Sequence, residues 1–188
     1  IRDRDVTGVQ TCALPICLDI TPVNDDPTTT PVTLAAIAED SGARVITQAE
    51  LVANSSDVDG GAPVATNLEI ATGKGTLVDN GNGTWTYTPA QDDDTSVSFK
   101  YTIEDGHGGS VEGSASLDIT PVNDDPTTTP VTLAAIAEDS GARVITQAEL
   151  VANSSDVDGG APVATGLSID SGNGTLADNH DEIGRAHV

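Results

Sequence analysis

The chain has 188 residues, with 7 Lys+Arg against 30 Asp+Glu, a formal net charge of -23, one Phe, one Trp and two Tyr. That charge argues against nucleic acid and anionic membrane surfaces as partners, since both require a basic patch. A core of Val, Ile, Leu and Ala with 2% aromatics suits thin β-sandwiches better than an enzyme with a deep pocket.

Taken in chain order, residues 1–16 do not read as native protein, and neither do residues 182–188. The string EIGRAHV, Glu182 to Val188, can be encoded by DNA whose reverse complement reads TCALPI, which is Thr11 to Ile16. An inverted repeat shared by both extremes of a reading frame resembles translated sequencing-adapter sequence, and such segments are set aside before a fold is read. Cys12 falls with the first of them, and Cys17, which borders it and corresponds to Ser116 one repeat later, reads as a junction codon in which an adapter base turned a serine codon into cysteine, so neither a disulfide nor a zinc reading has material. No signal-peptide pattern and no apolar run near the roughly 18 residues of a membrane span is evident.

Leu18–Thr66 is identical to Leu117–Thr165, an offset of 99 over 49 residues. Beyond it, Leu68 and Ile70 match Leu167 and Ile169, while Glu69 and Ala71 become Ser168 and Asp170. Alternate positions are kept, as in a strand with one buried face. A period this long is one whole sandwich domain per repeat rather than a solenoid unit. The expected organisation is residues 17–26 as the last strand and linker of one repeat, 27–125 as a complete repeat, and 126–181 as the first half of another. Alone, that half is expected not to fold stably.

Within the complete repeat, Val32-Leu34-Ala36 alternate, and Val45-Ile46 form a second strand signal. Thr47-Gln48-Ala49-Glu50 fits the capping box and predicts a short helix at about 47–53. Leu68-Ile70 alternate again, and Thr76-Leu77 lead through Asp79-Asn80-Gly81-Asn82-Gly83 into Trp85-Thr86-Tyr87, a hairpin signal. Val97, Phe99, Tyr101 and Ile103 form the cleanest period-2 run, and Val111, Ala115, Leu117 and Ile119 close the domain. About seven strands and one short helix predict an all-β fold, a Greek-key sandwich of immunoglobulin-like or cadherin-like type in tandem. The joint, TPVNDDPTTTP at 21–31 and 120–130, has three prolines in eleven residues and reads as a stiff extended linker.

The complete repeat carries 16 Asp+Glu against Arg44, Lys74 and Lys100, a balance of -13. Asp92-Asp93-Asp94, Glu50, Glu69 and Glu112 read as solvated surface charges. The other acids gather at turns: Glu39-Asp40, Asp57-Val58-Asp59 with its copy Asp156-Val157-Asp158, Glu104-Asp105, and the linker residues Asn24-Asp25 and Asn123-Asp124-Asp125. Calcium takes six to eight hard oxygen ligands, which such turns supply, and a dication converts their mutual repulsion into a crosslink. The candidate metal ligands are therefore Glu39, Asp40, Asp57, Asp59, Asp105, Asn123, Asp124, Asp125, Asp156, Asp158, Asn24 and Asp25. An EF-hand fails because the twelfth position from Asp57 is Leu68, and the G-G-x-G-x-D nonapeptide is absent.

PVNDDP, EDSGARVITQAELVANSSDVDGG, GNGTWTYTP and YTIEDGHGGS together resemble bacterial cadherin-like tandem repeats, of the tandem-95 and VCBS types, in very large type I-secreted surface adhesins. The resemblance implies an extracellular, calcium-rigidified array serving adhesion or biofilm formation, with calcium and neighbouring repeats as partners. By analogy with animal cadherins, Asn123-Asp124 resemble the interdomain N-D linker, Glu39 the early acid that reaches it, and Asp156-Val157-Asp158 the D-x-D of the following domain. The D-R-E ligand motif has no match, which leaves the number of ions per joint open. A second function class is a carbohydrate-binding module with Trp85 and Tyr87 as a stacking platform; the position of Trp85 after a hairpin turn favours cross-strand packing instead. An enzyme is not expected: His107 is the only histidine of the complete repeat, and Ser110, His107 and Asp105 are too close in sequence to converge as a triad.

Overall fold

The structure, a computed structural model, describes residues 21–177 and the backbone of 184–187. The complete repeat contains β1 (Thr28–Thr29), β2 (Val32–Ala38), β3 (Arg44–Thr47), α1 (Gln48–Leu51), β4 (Ser55–Ser56), β5 (Val64–Thr72), β6 (Thr76–Asp79), β7 (Thr84–Thr88), β8 (Val97–Glu104) and β9 (Ser110–Thr120). Seven of these strands form the two faces of a sandwich, one sheet ordered β2-β9-β8-β5 and the other β3-β7-β6, while β1 and β4 pair separately. The all-β expectation holds, and so does the strand count. Of the terminal segments set aside by sequence, 1–16 and residues 182, 183 and 188 lie outside the described residues. So do residues 17–20 of the expected preceding strand; residues 21–24 after them are not strand.

Period-2 patterning decides which side chains meet. In β8, Val97, Phe99, Tyr101 and Ile103 are buried while Lys100 and Glu104 are exposed. In β9, Ala115, Leu117 and Ile119 face the same core. From the opposite sheet come Ile46, Trp85 and Tyr87, and the Tyr87 and Phe99 rings meet edge to face at 5.4 Å and 86°. Such a pair contributes about 0.5–1.5 kcal/mol beyond its buried area.

The strand β2 departs from expectation in a way that shapes the joint. It pairs parallel to β9, and the register shifts between Leu34 and Ile37. Ala36, expected on the buried face with Val32 and Leu34, is exposed as a result. The bulge resets the inward phase so that Ile37 and then Glu39, two residues on, point inward, and Glu39 ends 4% exposed. A second irregularity lies in β5 after Thr66, where Asn67 adopts φ 55°. Its counterpart one period later is Gly166 at φ 65°. Asn and Gly are the residues that tolerate this left-handed region, so the two repeats differ at this position in residue and agree in its backbone conformation.

The helix α1 is one turn, capped as its sequence predicts. Thr47 Oγ1 accepts from Glu50 N–H at 3.4 Å, and Glu50 Oε2 accepts from Thr47 N–H at 2.8 Å. Burial alone would raise the Glu50 carboxyl; the Thr47 N–H and hydroxyl and the Arg44 guanidinium at 2.8 Å outweigh it and hold the group below the usual range. With its amide nitrogen turned to the Ala65 carbonyl, Gln48 donates at 3.1 Å and accepts from Ala65 N–H, closing the open edge of β5. Thr47→Ala is expected to cost about 1 kcal/mol, read as a lower midpoint in a urea melt with an unchanged slope.

The following repeat contains β10 (Thr127–Thr128), β11 (Arg143–Ile145), α2 (Gln147–Leu150), β12 (Ser154–Ser155), β13 (Thr175–Ala177) and β14 (Gly184–His187). The capping box recurs at Thr146 and Glu149, and β10 pairs with β12 as β1 does with β4. Strand β14 lies between β11 and β13, the place that β7 takes between β3 and β6. Residues 131–137, identical to those of β2, form no strand. In the complete repeat that segment is held by pairing to β9, and among the described residues the second repeat has no strand in β9's position.

Candidate metal centre

The linker between the two repeats runs from Thr120 past Asp124, and the acids that meet it come from both sides. The inward turn of Glu39 after the β2 bulge brings Glu39 Oε1 to accept from Val122 N–H at 2.6 Å. From the next repeat, Asp158 Oδ2 accepts from Asp124 N–H at 2.6 Å, while Asp156 Oδ1 accepts from Asp158 N–H at 3.0 Å and fixes that turn. Two triads of carboxylates result, Glu39–Asp124–Asp158 and Asp40–Asp92–Asp124, the ligand oxygens of each lying within 4.8 Å of one another. Asp124 belongs to both.

The electrostatics of this cluster are uncompensated. The ion pairs of the described residues, Arg44–Glu50, Lys74–Asp93, Lys100–Glu69 and Arg143–Glu149, all lie elsewhere. Asp124 Oδ2 is buried and has no hydrogen-bond partner. Loss of hydration, then the charges of Asp40, Asp92, Asp158 and Glu39, push the Asp124 carboxyl above the usual carboxylate range. An orphaned buried oxygen among four other carboxylates fits a hard dication with oxygen ligands.

The preceding joint shows the complementary half. Asp59 Oδ2 accepts from Asp25 N–H at 2.5 Å, the same bond that Asp158 makes to Asp124 one period later. Asp57 Oδ1 accepts from Asp59 N–H at 2.7 Å, and Asp57 Oδ2 is a second buried oxygen with no partner. Beside them, Asp105, 4% exposed, accepts from Asn24 Nδ2 at 2.7 Å and from the His107, Gly108 and Gly109 amides. A methyl on Gly109 would stand 2.8 Å from Asp26 Oδ1 and 3.1 Å from Asn24 Nδ2, so only glycine allows this approach. Through the 99-residue offset, Asp25 corresponds to Asp124, Asp57 to Asp156 and Asp59 to Asp158; the joint at Asp124 adds Glu39, Asp40 and Asp92, and the joint at Asp25 adds Asp105 through Asn24.

Asn123 donates from Nδ2 to the Asp124 carbonyl at 3.0 Å and joins neither triad, and Asp125 is exposed and also outside both. Asp93 corrects the expectation of a plain surface charge, and Asp92, though exposed as expected, lies beside two of the candidate ligands. Asp92 takes φ 51° and turns toward Asp40 and Asp124. Asp93, 8% exposed, folds inward, accepting from Thr95 Oγ1 at 2.5 Å and pairing with Lys74 Nζ at 3.1 Å. The triplet's sequence carries no sign of this, because the left-handed turn at its first residue separates three identical side chains into different environments. Trp85 and Tyr87 are 4% and 0% exposed, so they are core residues and offer no stacking platform.

Asp105 and Asp124 have opposite pH signatures. The Asn24 amide and the backbone donors hold Asp105 below the usual range, so its contribution to stability is complete above its unfolded value and is lost as pH falls through its folded one. Asp124 is raised, so in chelator its folded form retains a proton that the unfolded chain releases, and stability falls as pH rises through that window. Below about pH 4, Asp105→Asn is expected to flatten the acid limb of the stability curve, whereas Asp124→Asn acts above about pH 4, where it removes the stability that the parent gains as pH falls toward that value. Thermal melts in chelator on both sides of that value measure both slopes.

The family model described as a cadherin-like domain matches residues 23–120 and again residues 122–184. Among curated proteins no match is found. Solved structures similar to the chain include three endo-fucoidan hydrolases of glycoside hydrolase family 107. MfFcnA9 is 16% identical with a TM-score of 0.33, MfFcnA4 17% identical at 0.38, and its H294Q variant 18% identical at 0.37. They cover 87%, 89% and 89% of this chain, which spans only 29%, 24% and 24% of theirs.

Proposed function

Because this chain belongs to the cadherin-like domain family, we propose that it is a non-catalytic spacer segment of a large extracellular bacterial adhesin, in which calcium at each joint stiffens a row of sandwiches. The observation that carries this reading is Asp124: a linker carboxylate with a buried, unpartnered oxygen, ringed by Glu39, Asp40 and Asp92 of one repeat and Asp158 of the next. A dication there ties both repeats to the linker and removes the repulsion that otherwise opens the joint. In this reading Asp57 and Asp105 would add ligands from the lower repeat, and Asp92 an acid from the upper one. The array would be carried outside the cell by type I secretion, holding an adhesive tip away from the surface in attachment and biofilm formation. Among the described residues no helix is long and apolar enough to cross a membrane.

Affinity in the ~0.1–1 mM range of extracellular modules suits a ligand set with several exposed members and an exterior rich in calcium. At a calcium concentration ten times the dissociation constant, linkage adds about 1.4 kcal/mol to the complete repeat. Calorimetric titration with calcium and with magnesium, beside melts in chelator, tests this. Calcium heat with a raised melting temperature, and a weaker magnesium response, is expected. No heat and superimposable melts would reject the reading.

A further inference from the structure

The hairpin between β6 and β7 holds two Asn-Gly pairs, Asn80-Gly81 and Asn82-Gly83, on an exposed loop that carries none of the proposed ligands. Their carboxamides are held differently. Asn82 Oδ1 accepts two hydrogen bonds, from Thr84 N–H at 3.2 Å and from Thr84 Oγ1–H at 2.7 Å. Asn80 is tied across the hairpin instead: its Nδ2 donates to Thr84 Oγ1 at 2.9 Å and Thr86 Oγ1 at 3.1 Å, its Oδ1 accepts from Thr86 Oγ1 at 3.2 Å, and Gly81 N–H donates to Asp79 Oδ1 at 2.8 Å.

We propose that Asn82–Gly83 is a built-in self-modification site, at which Thr84 promotes intramolecular deamidation of Asn82. In this reaction the Gly83 backbone nitrogen, losing its proton to solvent, attacks Asn82 Cγ. The new N–Cγ bond forms a five-membered succinimide, and the Cγ–Nδ2 bond breaks as Nδ2 takes a proton and leaves as ammonia. Water then opens the ring at either carbonyl, giving aspartate or its β-linked isomer; no oxidant or reductant is needed.

Three features favour Asn82. Negative charge builds on Oδ1 during attack, where the two Thr84 donors already point, an arrangement that stabilises the tetrahedral intermediate as an oxyanion hole does. No hydrogen bond among the described residues engages the Gly83 N–H, and a methyl on Gly83 would meet nothing nearer than Gln48 Cβ at 4.0 Å. The Nδ2 of Asn82 donates no hydrogen bond to the described residues, so its departure breaks none. Attack at Asn80 must first break the hydrogen bonds that hold its side chain against Thr84 and Thr86.

The modification would also be felt beyond the loop. Gly83 carbonyl oxygen accepts from Gln48 N–H at 3.1 Å, at the first turn of α1. The β-linked product inserts a methylene into the main chain just before that carbonyl, and either product adds a negative charge beside Asp79.

The test is timed incubation of the full chain at mildly alkaline pH, with peptide mapping by mass spectrometry that places each mass gain of about 1 Da on a residue. Asn82 is expected to convert about tenfold faster than Asn80, and Thr84→Val, which removes one of the two donors, to slow Asn82 by about five- to tenfold. In 8 M urea both differences should vanish, because they depend on the folded loop. Equal folded-state rates at Asn80 and Asn82, or a Thr84→Val rate equal to that of the parent chain with its melt unchanged, would overturn the proposal. If Thr84→Val lowers the melting temperature, Thr84→Ser restores the hydroxyl and must restore the rate.

Discussion

Asp124→Asn is expected to abolish most of the calcium response while leaving the calcium-free chain as stable as the parent, or more so, at neutral pH. The two halves of that result have one cause. In chelator, Asp124 is a cost to the fold: its Oδ2 is buried without a partner, and Glu39, Asp40, Asp92 and Asp158 repel it. Asparagine removes the charge and retains the volume, so the repulsion goes and the Asp124 N–H bond to Asp158 stays. In calcium the Asp124 carboxylate is the ligand common to both triads, so its loss weakens each. Altering a group that only orients a ligand costs 10–100-fold in metal affinity, and removal of a shared ligand is expected to cost about 100-fold or more. Calorimetry and paired melts read both halves. A variant destabilised in chelator and still fully calcium-responsive would show Asp124 to be an ordinary structural residue.

Gly113→Ala is expected to be among the most damaging single-methyl changes in the complete repeat. Gly113 has no positive φ, so alanine suits its backbone, and the whole effect is steric. A methyl there would press into the Tyr101 ring, standing 2.8 Å from Cζ. Tyr101 is 2% exposed, and its hydroxyl donates to the Leu51 carbonyl at the end of α1 at 2.8 Å, so the ring cannot move without breaking that bond. Overpacking plus a broken buried hydrogen bond gives roughly 2–4 kcal/mol, a fall of about ten degrees or more in melting temperature for a domain of this size. Ser114→Ala, on the exposed face next to it, should stay within about 0.5 kcal/mol.

What the sequence reveals and what it hides divide along the range of the interactions. Alternation in Val97–Ile103, the capping box at Thr47 and the hairpin at Asp79–Gly83 are local, and the structure reproduces each. The parallel pairing of β2 with β9 joins residues more than 80 apart, and the bulge that turns Glu39 inward has no local signature. Identical residues make the point directly: Val32–Ala38 is a strand and its copy at 131–137 is not, because pairing rather than propensity makes that strand. In the candidate site, carboxylates next to Gly or Pro turns were legible from composition and spacing. Asp92 was not, since only its left-handed backbone distinguishes it from Asp94.

The central claim is that a bound dication at the linker fixes one repeat against the next. Small-angle X-ray scattering from a tandem array of residues 27–125, recorded in chelator and in millimolar calcium, measures this most directly. The account predicts a longer maximum dimension and rod-like scattering in calcium, and a shorter, flexible-chain profile in chelator that Asp124→Asn keeps even when calcium is added. Superimposable profiles in the two conditions would contradict it.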